Sequence, residues 1–329
     1  MRSWPAVAIV GCGIIGQKRA RALGNCRLLL CCDTIRERAE QLAGGFPGAE
    51  VETDWHAAVT HPEIGIVIVA TTHDQLATIA EVAAGTGKHV LIEKPGARRA
   101  AELQPVLRES ERTGVQVRVA FNHRYHRALQ ESRKILESGA LGELMFVRGR
   151  YGHGGRPGYD REWRADPRIS GGGELLDQGV HLIDLARWFL GDFSEVTGHI
   201  ATYFWNMPVE DNAFLTLKTA TGQTAFLHAS WTEWKNMFSL EVYGRTGKLE
   251  IGGLGGSYGT ERLALYEMLP CMGPPTTTIW EYPMADNSWE VEFAEFLEDI
   301  RQHRTPVPGI QDAQAALHVV EAVYAQASR

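Results

Sequence analysis

What most narrows the fold of this chain is the run Gly11-Cys12-Gly13-Ile14-Ile15-Gly16, set between the apolar stretch Ala6–Val10 and an Ala/Arg-rich helical stretch from Gln17 to Leu23. Glycines at that spacing are a weak signal alone. They become a strong one because a second apolar run, Leu28 to Cys32, ends at Asp33, twenty residues after Gly13. Strand, glycine turn, helix and an acidic residue closing the next strand form the pattern of a dinucleotide-binding unit. Gly11 permits the tight turn, Gly13 lets a pyrophosphate approach the backbone, and Gly16 lets helix pack on strand. The amides at the helix start, including those of Ile14 and Ile15, face the phosphates with the positive end of the helix dipole. Asp33, followed by Thr34, is placed to accept hydrogen bonds from the adenosine ribose and would repel a 2′-phosphate, so NAD is expected over NADP. Arg36 and Arg38 are near enough to soften that preference, but read more simply as solvated helix charges.

Further buried strands are expected over Glu63 to Ala70, His89 to Ile92 and Gln116 to Ala120, with helices from Leu76 to Ala84 and Ala100 to Thr113. Ligands sit at the carboxyl edge of such parallel sheets. That nominates Thr71, Thr72 and His73 after one strand, and Glu93 and Lys94 after the next. The alternation marks one Rossmann-type domain over residues 1–122.

Past one more helix, His126 to Ser138, the texture changes. Leu144–Tyr151, Val196–Trp205, Phe214–Lys218, Thr224–Thr232, Ser239–Gly244 and Lys248–Ile251 are short β-like runs separated by turn signals, with helices only around 173–190, 290–302 and 311–327. The fold class is therefore α/β: a doubly wound parallel sheet, then an α+β domain over 123–329 with a large, open, mainly antiparallel mixed sheet. Phe204, Trp205, Trp231, Trp234 and Phe238 exceed what a one-sided helix layer would cover. This predicts an exposed sheet face that pairs with itself in a homodimer or homotetramer. Gly252 to Gly259 is expected to be a mobile loop.

Within that second region Gly171-Gly172-Gly173 makes a flexible approach to a helical stretch through Leu175, Leu176, Leu182, Ile183 and Leu185. Asp177 and His181, four apart, then project from one helix face. A carboxylate neighbour fixes a histidine's tautomer and raises its basicity, which suits a general base. For an arbitrary pair at this spacing, a tie between helix and sheet is the commoner role. The dinucleotide pattern upstream supplies a reason for a base to exist. Asp184, on the same face, suits a structural hydrogen-bonding role.

The formal charge is −7 with no long basic run, which excludes nucleic acid and anionic membrane as natural partners. No apolar run approaches the ~20 residues of a membrane-crossing helix. Met1-Arg2-Ser3-Trp4-Pro5 leads straight into a strand without a signal peptide, so a cytoplasmic location is expected. Five cysteines lack zinc spacing; they read as small buried side chains in a reducing compartment, and no metal site is expected.

Three motifs coincide: Gly11–Gly16 after the first strand, Glu93-Lys94-Pro95 after the fifth, and the glycine run into Asp177 and His181. With them the chain resembles the Gfo/Idh/MocA family of oxidoreductases from end to end. The resemblance implies an active-site role for Lys94, next to the nicotinamide and followed by a cis lysine–proline bond, with Asp177 and His181 completing the catalytic set. It also implies that Asn122 and Arg124 touch the nicotinamide side or the substrate. In this scheme His181 takes a hydroxyl proton, Lys94 supplies positive charge where an alkoxide develops, and Asp177 orients both.

The chain departs from the family pattern after the fourth strand. Thr71-Thr72-His73 replaces Thr-Pro-Asn, and Leu76 stands where a histidine is common. The stretch from Tyr151 through Arg156 to Trp163 and Arg164 borders the expected substrate pocket. Trp163 is suited to stack on a sugar, and Arg156 or Arg164 to meet an anionic group, against plainer roles as sheet-edge packing and solvated charge. The leading function is an NAD-dependent dehydrogenase acting on a cyclic polyol, sugar or sugar derivative. A glycosidase using transient oxidation by NAD and a non-enzymatic dinucleotide sensor are the rivals. The joint presence of Lys94, Asp177 and His181 speaks against the sensor.

Overall fold

The computed structural model describes residues 4–327; Met1, Arg2 and Ser3, read above as leading into the first strand, lie outside the described residues. The described residues form two compact units: those up to 121, with 168–171 and 289–314, make the first, and 122–167, 172–288 and those from 315 on make the second.

The first unit is built on a six-stranded sheet of order β3-β2-β1-β4-β5-β6, from β1 (Ala6–Val10), β2 (Leu28–Cys32), β3 (Glu50–Glu52), β4 (Ile64–Val69), β5 (His89–Glu93) and β6 (Val117–Ala120). Every pairing is parallel. Helices α1 (Ile14–Arg21), α2 (Arg36–Ala43), α3 (Trp55–Thr60), α4 (His73–Gly85) and α5 (Leu103–Thr113) make the crossovers. β1 and β2 are buried throughout, which explains why they read as unbroken apolar runs. Val10 pairs with Cys32 and Val69, and Val69 with Ile92. Strands in that register bring Gly11, Asp33, Thr71 and Lys94 out at one sheet edge.

The second unit carries an eight-stranded sheet of order β14-β13-β12-β11-β7-β10-β9-β8. Its strands are β7 (Leu144–Gly152), β8 (Phe193–Ala201), β9 (Asn212–Thr219), β10 (Thr224–Ser230), β11 (Met237–Gly244), β12 (Gly247–Gly252), β13 (Glu261–Glu267) and β14 (Thr276–Tyr282). β7 and β10 run parallel and the other neighbours antiparallel. The remaining helices are α6 (Arg127–Glu137), α7 (Pro167–Ser170), α8 (Val180–Leu190), α9 (Ser288–Gln302) and α10 (Ile310–Ala327). α8 lies over β7, where a Cβ at Gly149 would meet Leu182, Leu227 and Leu240, and Val323 of α10 covers Gly198 of β8. No helix among the described residues is long and apolar enough to cross a membrane.

The sheet's open face differs from expectation. Trp231 and Phe238 are buried, while Phe204 and Trp234 sit exposed in the loops 202–211 and 231–236. The open face instead carries Phe146 stacked on Tyr243 at 4.2 Å and Phe214 stacked on His228 at 4.2 Å. The glycine-rich stretch after β12, expected as a mobile loop, holds a 3-10 turn, Gly256–Tyr258, whose tyrosine packs on Tyr151.

Two distant segments complete the first unit. Phe293, Phe296 and Leu297 of α9 join Val7, Ile9, Leu28 and Ile66 in one apolar core. Arg19 of α1 is buried between Glu93 and Glu292, each 2.6 Å away, with its guanidinium 4.3 Å from the Trp289 ring centre.

Candidate active site

The glycine turn is shaped by close approach. Gly11 has φ +95°, and a Cβ there would fall 2.4 Å from the Ala70 carbonyl oxygen; one at Gly16 would fall 2.0 Å from that of Gly11. Gly13 is different, because a Cβ there would meet nothing within 4 Å. It is the N-cap of α1 and provides no side-chain cap, so the helix presents its first amides, Ile14 and Ile15 among them, to open space. Asp33 is fixed at the end of β2 by two amides: Cys12 N donates to Oδ2 at 2.8 Å and Ile35 N to Oδ1 at 2.9 Å. An uncapped helix start, an unfilled space at Gly13 and a clamped carboxylate at the next strand end fit a dinucleotide. Thr34 beside it is exposed, Arg36 pairs with Glu40 at 2.9 Å as a solvated helix charge, and Arg38 is exposed.

At the end of β4, Thr72 caps α4 in extended conformation, its Oγ1 donating to Asp74 at 2.6 Å, and Thr71 Oγ1 donates to the Thr72 carbonyl at 3.2 Å. His73 is buried, and its Nδ1 lies 2.8 Å from the Ser170 carbonyl. It is therefore a packed first residue of α4 and not a loop tip. Glu93 spends its carboxylate on Arg19, so its side chain positions the strand end instead of reaching a ligand. Lys94 follows, half-buried, and the Lys94–Pro95 bond is cis.

In the second unit Gly172 and Gly173 serve packing, where flexibility was expected of the glycine run. A Cβ at Gly172 would lie 2.0 Å from the Tyr324 hydroxyl, and one at Gly173 2.0 Å from the Glu210 carbonyl oxygen. Glu210 Oε1 accepts from Gly173 N and Leu175 N at 3.1 Å and from the Tyr324 hydroxyl at 2.8 Å, so this buried carboxyl caps the helical segment. That segment opens as a π turn over Leu175–Gly179 before α8 begins at Val180, a wider winding than the expected α-helix.

Asp177 sits in the π turn, 3% exposed, and accepts from Arg164 Nε at 2.9 Å. Burial opposes the Arg164 charge, but Asp177 beside it holds the guanidinium above its ordinary pKa. Trp163 occupies the same short 3-10 turn, with the Arg164 guanidinium 4.5 Å from its ring centre. Arg156 pairs with Glu162 at 2.6 Å near the surface. His181 is 3% exposed, stacked on His123 and 6.1 Å from Tyr151. Burial, then the nearby Tyr258, pushes the Tyr151 phenol well up; burial and the Asp177 charge push Tyr159 up as well. Both phenols stay protonated at neutral pH and can donate.

Arg124 is turned away from a ligand role. It is buried, and its Nε and Nη2 form a two-pronged pair with Asp184 at 2.8 and 2.6 Å, which gives Asp184 the structural part expected of it. Asn122 Nδ2 donates to Ser288 Oγ at 3.0 Å.

Residues 6–121 match the profile of an oxidoreductase family with an NAD-binding Rossmann fold, and residues 129–250 match the GFO/IDH/MocA C-terminal domain. The chain belongs to the Gfo/Idh/MocA oxidoreductase family. Among members of this family, a levoglucosan dehydrogenase of Pseudarthrobacter phenanthrenivorans is 32% identical over 188 residues, 56% of this chain. An inositol 2-dehydrogenase 2 of Saccharopolyspora erythraea is 27% identical over 224 residues, 66% of this chain. The matched stretches span 48% and 63% of those two relatives. A solved levoglucosan dehydrogenase, in complex with NADH and levoglucosan, superposes with a TM-score of 0.90 at 22% identity, covering 98% of this chain and 97% of that one, a likeness of fold.

For this Gfo/Idh/MocA chain, sequence reasoning missed the Arg164–Asp177 pair, the Glu210 cap, the Arg19 anchor behind Glu93 and the His123 stack. Only His123 left a local trace, as the residue between Asn122 and Arg124.

Proposed function

We propose that the protein is an NAD-dependent dehydrogenase that oxidises a secondary hydroxyl of a cyclic polyol, sugar or sugar derivative. The observation that carries this reading is the company Asp177 keeps. Tyr151 and Tyr159 are held protonated and Arg164 is held cationic, so the proton-accepting capacity there near neutral pH falls to the stacked imidazoles, with His181 on the helix that follows Asp177. When bound, the dinucleotide supplies the two-electron acceptor. His181 takes the hydroxyl proton, and Lys94 offers positive charge to the oxygen as it becomes anionic. Asp177, its charge fixed by Arg164, orients the base. Residues within 1–122 hold the dinucleotide and residues within 123–329 hold the substrate. Tyr151 and Trp163 offer a phenol and an aromatic face to a polyhydroxylated ring. The names of the levoglucosan and inositol relatives support that substrate class.

NAD is favoured over NADP because Asp33 puts a clamped carboxylate where a 2′-phosphate would lie. The open face of the second sheet, with its stacked aromatic pairs and the Arg148–Glu241 ion pair, supports self-association into a homodimer or homotetramer. A light-scattering mass of one 36.4 kDa chain at micromolar concentration would count against assembly. A cytoplasmic location belongs to the same proposal.

The test is to incubate the purified protein with NAD and a panel including levoglucosan and inositols while following the absorbance of reduced cofactor. Net reduction with at least one member is expected. Release of a chromogenic aglycone without net reduction would move the reading to a glycosidase, and neither outcome would overturn both.

A further inference from the structure

His181 does not stand alone. Its ring lies face to face with that of His123, with centroids 3.8 Å apart and planes 17° from parallel. His123 comes from the 3-10 turn Asn122–Tyr125 and His181 from the first turn of α8, so two separate elements converge to make the stack. Both are buried, at 6% and 3% exposure. Tyr151 of β7 meets His123 edge-on at 5.1 Å, and Phe238 of β11 lies 6.1 Å from it. On the other flank the His126 ring approaches His123 at 5.6 Å, and His126 Nδ1 lies 3.2 Å from Glu261 Oε2 and 3.8 Å from Asp286 Oδ1.

Two imidazolium rings at that separation, screened from water, repel strongly, whereas a neutral imidazole face attracts a cation lying over it. We propose that His123 is a positioning residue for His181: the stack takes up one proton and resists a second, and the neutral face of His123 carries the imidazolium that His181 becomes. This rests on the reading of His181 as the base. In the transfer, the substrate O–H bond breaks, its electron pair stays on oxygen, and an N–H bond forms on His181. The stack passes from neutral to a single positive charge. A proton already resident on His123 would make that step create a doubly charged stack, so acid blocks the base through its neighbour. The acid limb of activity then belongs to the pair and not to either ring.

The other charged and titratable groups around the stack come from the elements packed against it. Asp177 in the π turn is held by Arg164, and Asp184 of α8 by Arg124. Tyr151 and, at the 3-10 turn after β12, Tyr258 keep their protons, the latter pushed up to about 12 by burial. Glu174 lies near both phenols, and Glu261 and Asp286 stand behind His126.

The test is a side-chain NMR titration of the full-length protein without substrate, so its outcome is independent of turnover. His123→Phe and His181→Phe each keep a flat ring in the stack and delete one basic site. Coupling is reciprocal, so at least one remaining histidine should titrate about one pH unit or more higher when its neighbour becomes Phe, roughly a tenfold gain in proton affinity. If neither midpoint moves by more than about 0.3 units, the two rings do not share a proton and the proposal fails. Should His123→Phe not fold, His123→Gln provides the same comparison. With a panel sugar that is oxidised, His123→Phe should also move the acid limb of kcat. A coupled titration in a protein that oxidises nothing would keep the stack and overturn the dehydrogenase reading.

Discussion

Arg164 Nε donates to Asp177 Oδ2 across 2.9 Å, tying a 3-10 turn in the loop after β7 to the π turn that leads into α8. The two stand thirteen positions apart in the chain, and the pair holds the Asp177 carboxylate in place. Replacing Arg164 by Met keeps the stem and removes the charge. Turnover should fall by roughly 10²-fold through misplacement of Asp177, with NAD affinity unchanged. Steady-state kinetics beside calorimetric NAD binding checks this, and Arg164→Lys should recover only part of the loss because it lacks the planar fork.

His181→Ala should lower turnover by roughly 10²–10⁴-fold, the usual contribution of a positioned base, with cofactor affinity nearly unchanged. Lys94→Ala should be at least as damaging. The rate per folded molecule is the deciding measurement. A well-folded His181→Ala variant with near-normal turnover would remove the base from the mechanism.

Asp33→Asn should erode the preference for NAD. Like charges ~4 Å apart cost about 1 kcal/mol in water and several at lower dielectric, so the wild-type dissociation constant for NADP should exceed that for NAD by about tenfold or more. Asn keeps the volume and an acceptor for the Cys12 or Ile35 amide, so the loop should survive. Titration calorimetry with both dinucleotides reads the ratio; equal constants in the wild type would point to Arg36 or Arg38 reaching the phosphate.

His89 should make the first unit sensitive to mild acid. Its Nδ1 accepts from Gln116 N at 3.0 Å, and burial, aided by His303, lowers its pKa from 6.5 to about 4. Between those values the unfolded chain binds more protons than the folded one, so stability rises with pH across that window. The contribution is fully present above 6.5 and lost as pH falls towards 4, on the order of 2 kcal/mol after allowing for partial exposure. Denaturant midpoints at several pH values would measure it, and His89→Gln should flatten the slope.

Gly173→Ala should destabilise the second unit by about 3 kcal/mol, because the added Cβ would lie 2.0 Å from a backbone oxygen of Glu210 that has no room to retreat. A melting curve tests this. Unchanged stability would return Gly173 to the flexible role its sequence suggests.

The first sheet was legible because β1, β2 and β4 are buried strands bounded by turn signals, and burial of both faces writes itself as a continuous apolar run. β14 was not, because Thr276–Thr278 and their neighbours are mostly exposed and leave no apolar alternation. The π turn was hidden for a related reason: Leu175, Leu176 and Val180 satisfy a helical period closely enough that one extra residue per turn leaves no mark. Asp177 and His181 are nominated by their spacing, whereas Arg164 and His123 reach them through tertiary packing that no local period encodes. Trp234 and Phe204 were misassigned to the sheet face because aromatic content does not say which side of a strand, or which loop, will hold it.

The burial of Arg19 between Glu93 and Glu292 also sets an order on synthesis. The six strands of the first unit are encoded before residue 121, yet the helix bearing Glu292, Phe293 and Phe296 is encoded after an entire second sheet. A ribosome must therefore release most of the polypeptide before the dinucleotide-binding unit can close its own core. Until then the flank of β1 and β2 is a surface in need of protection, and nascent chains halted before residue 289 would be clients for chaperones.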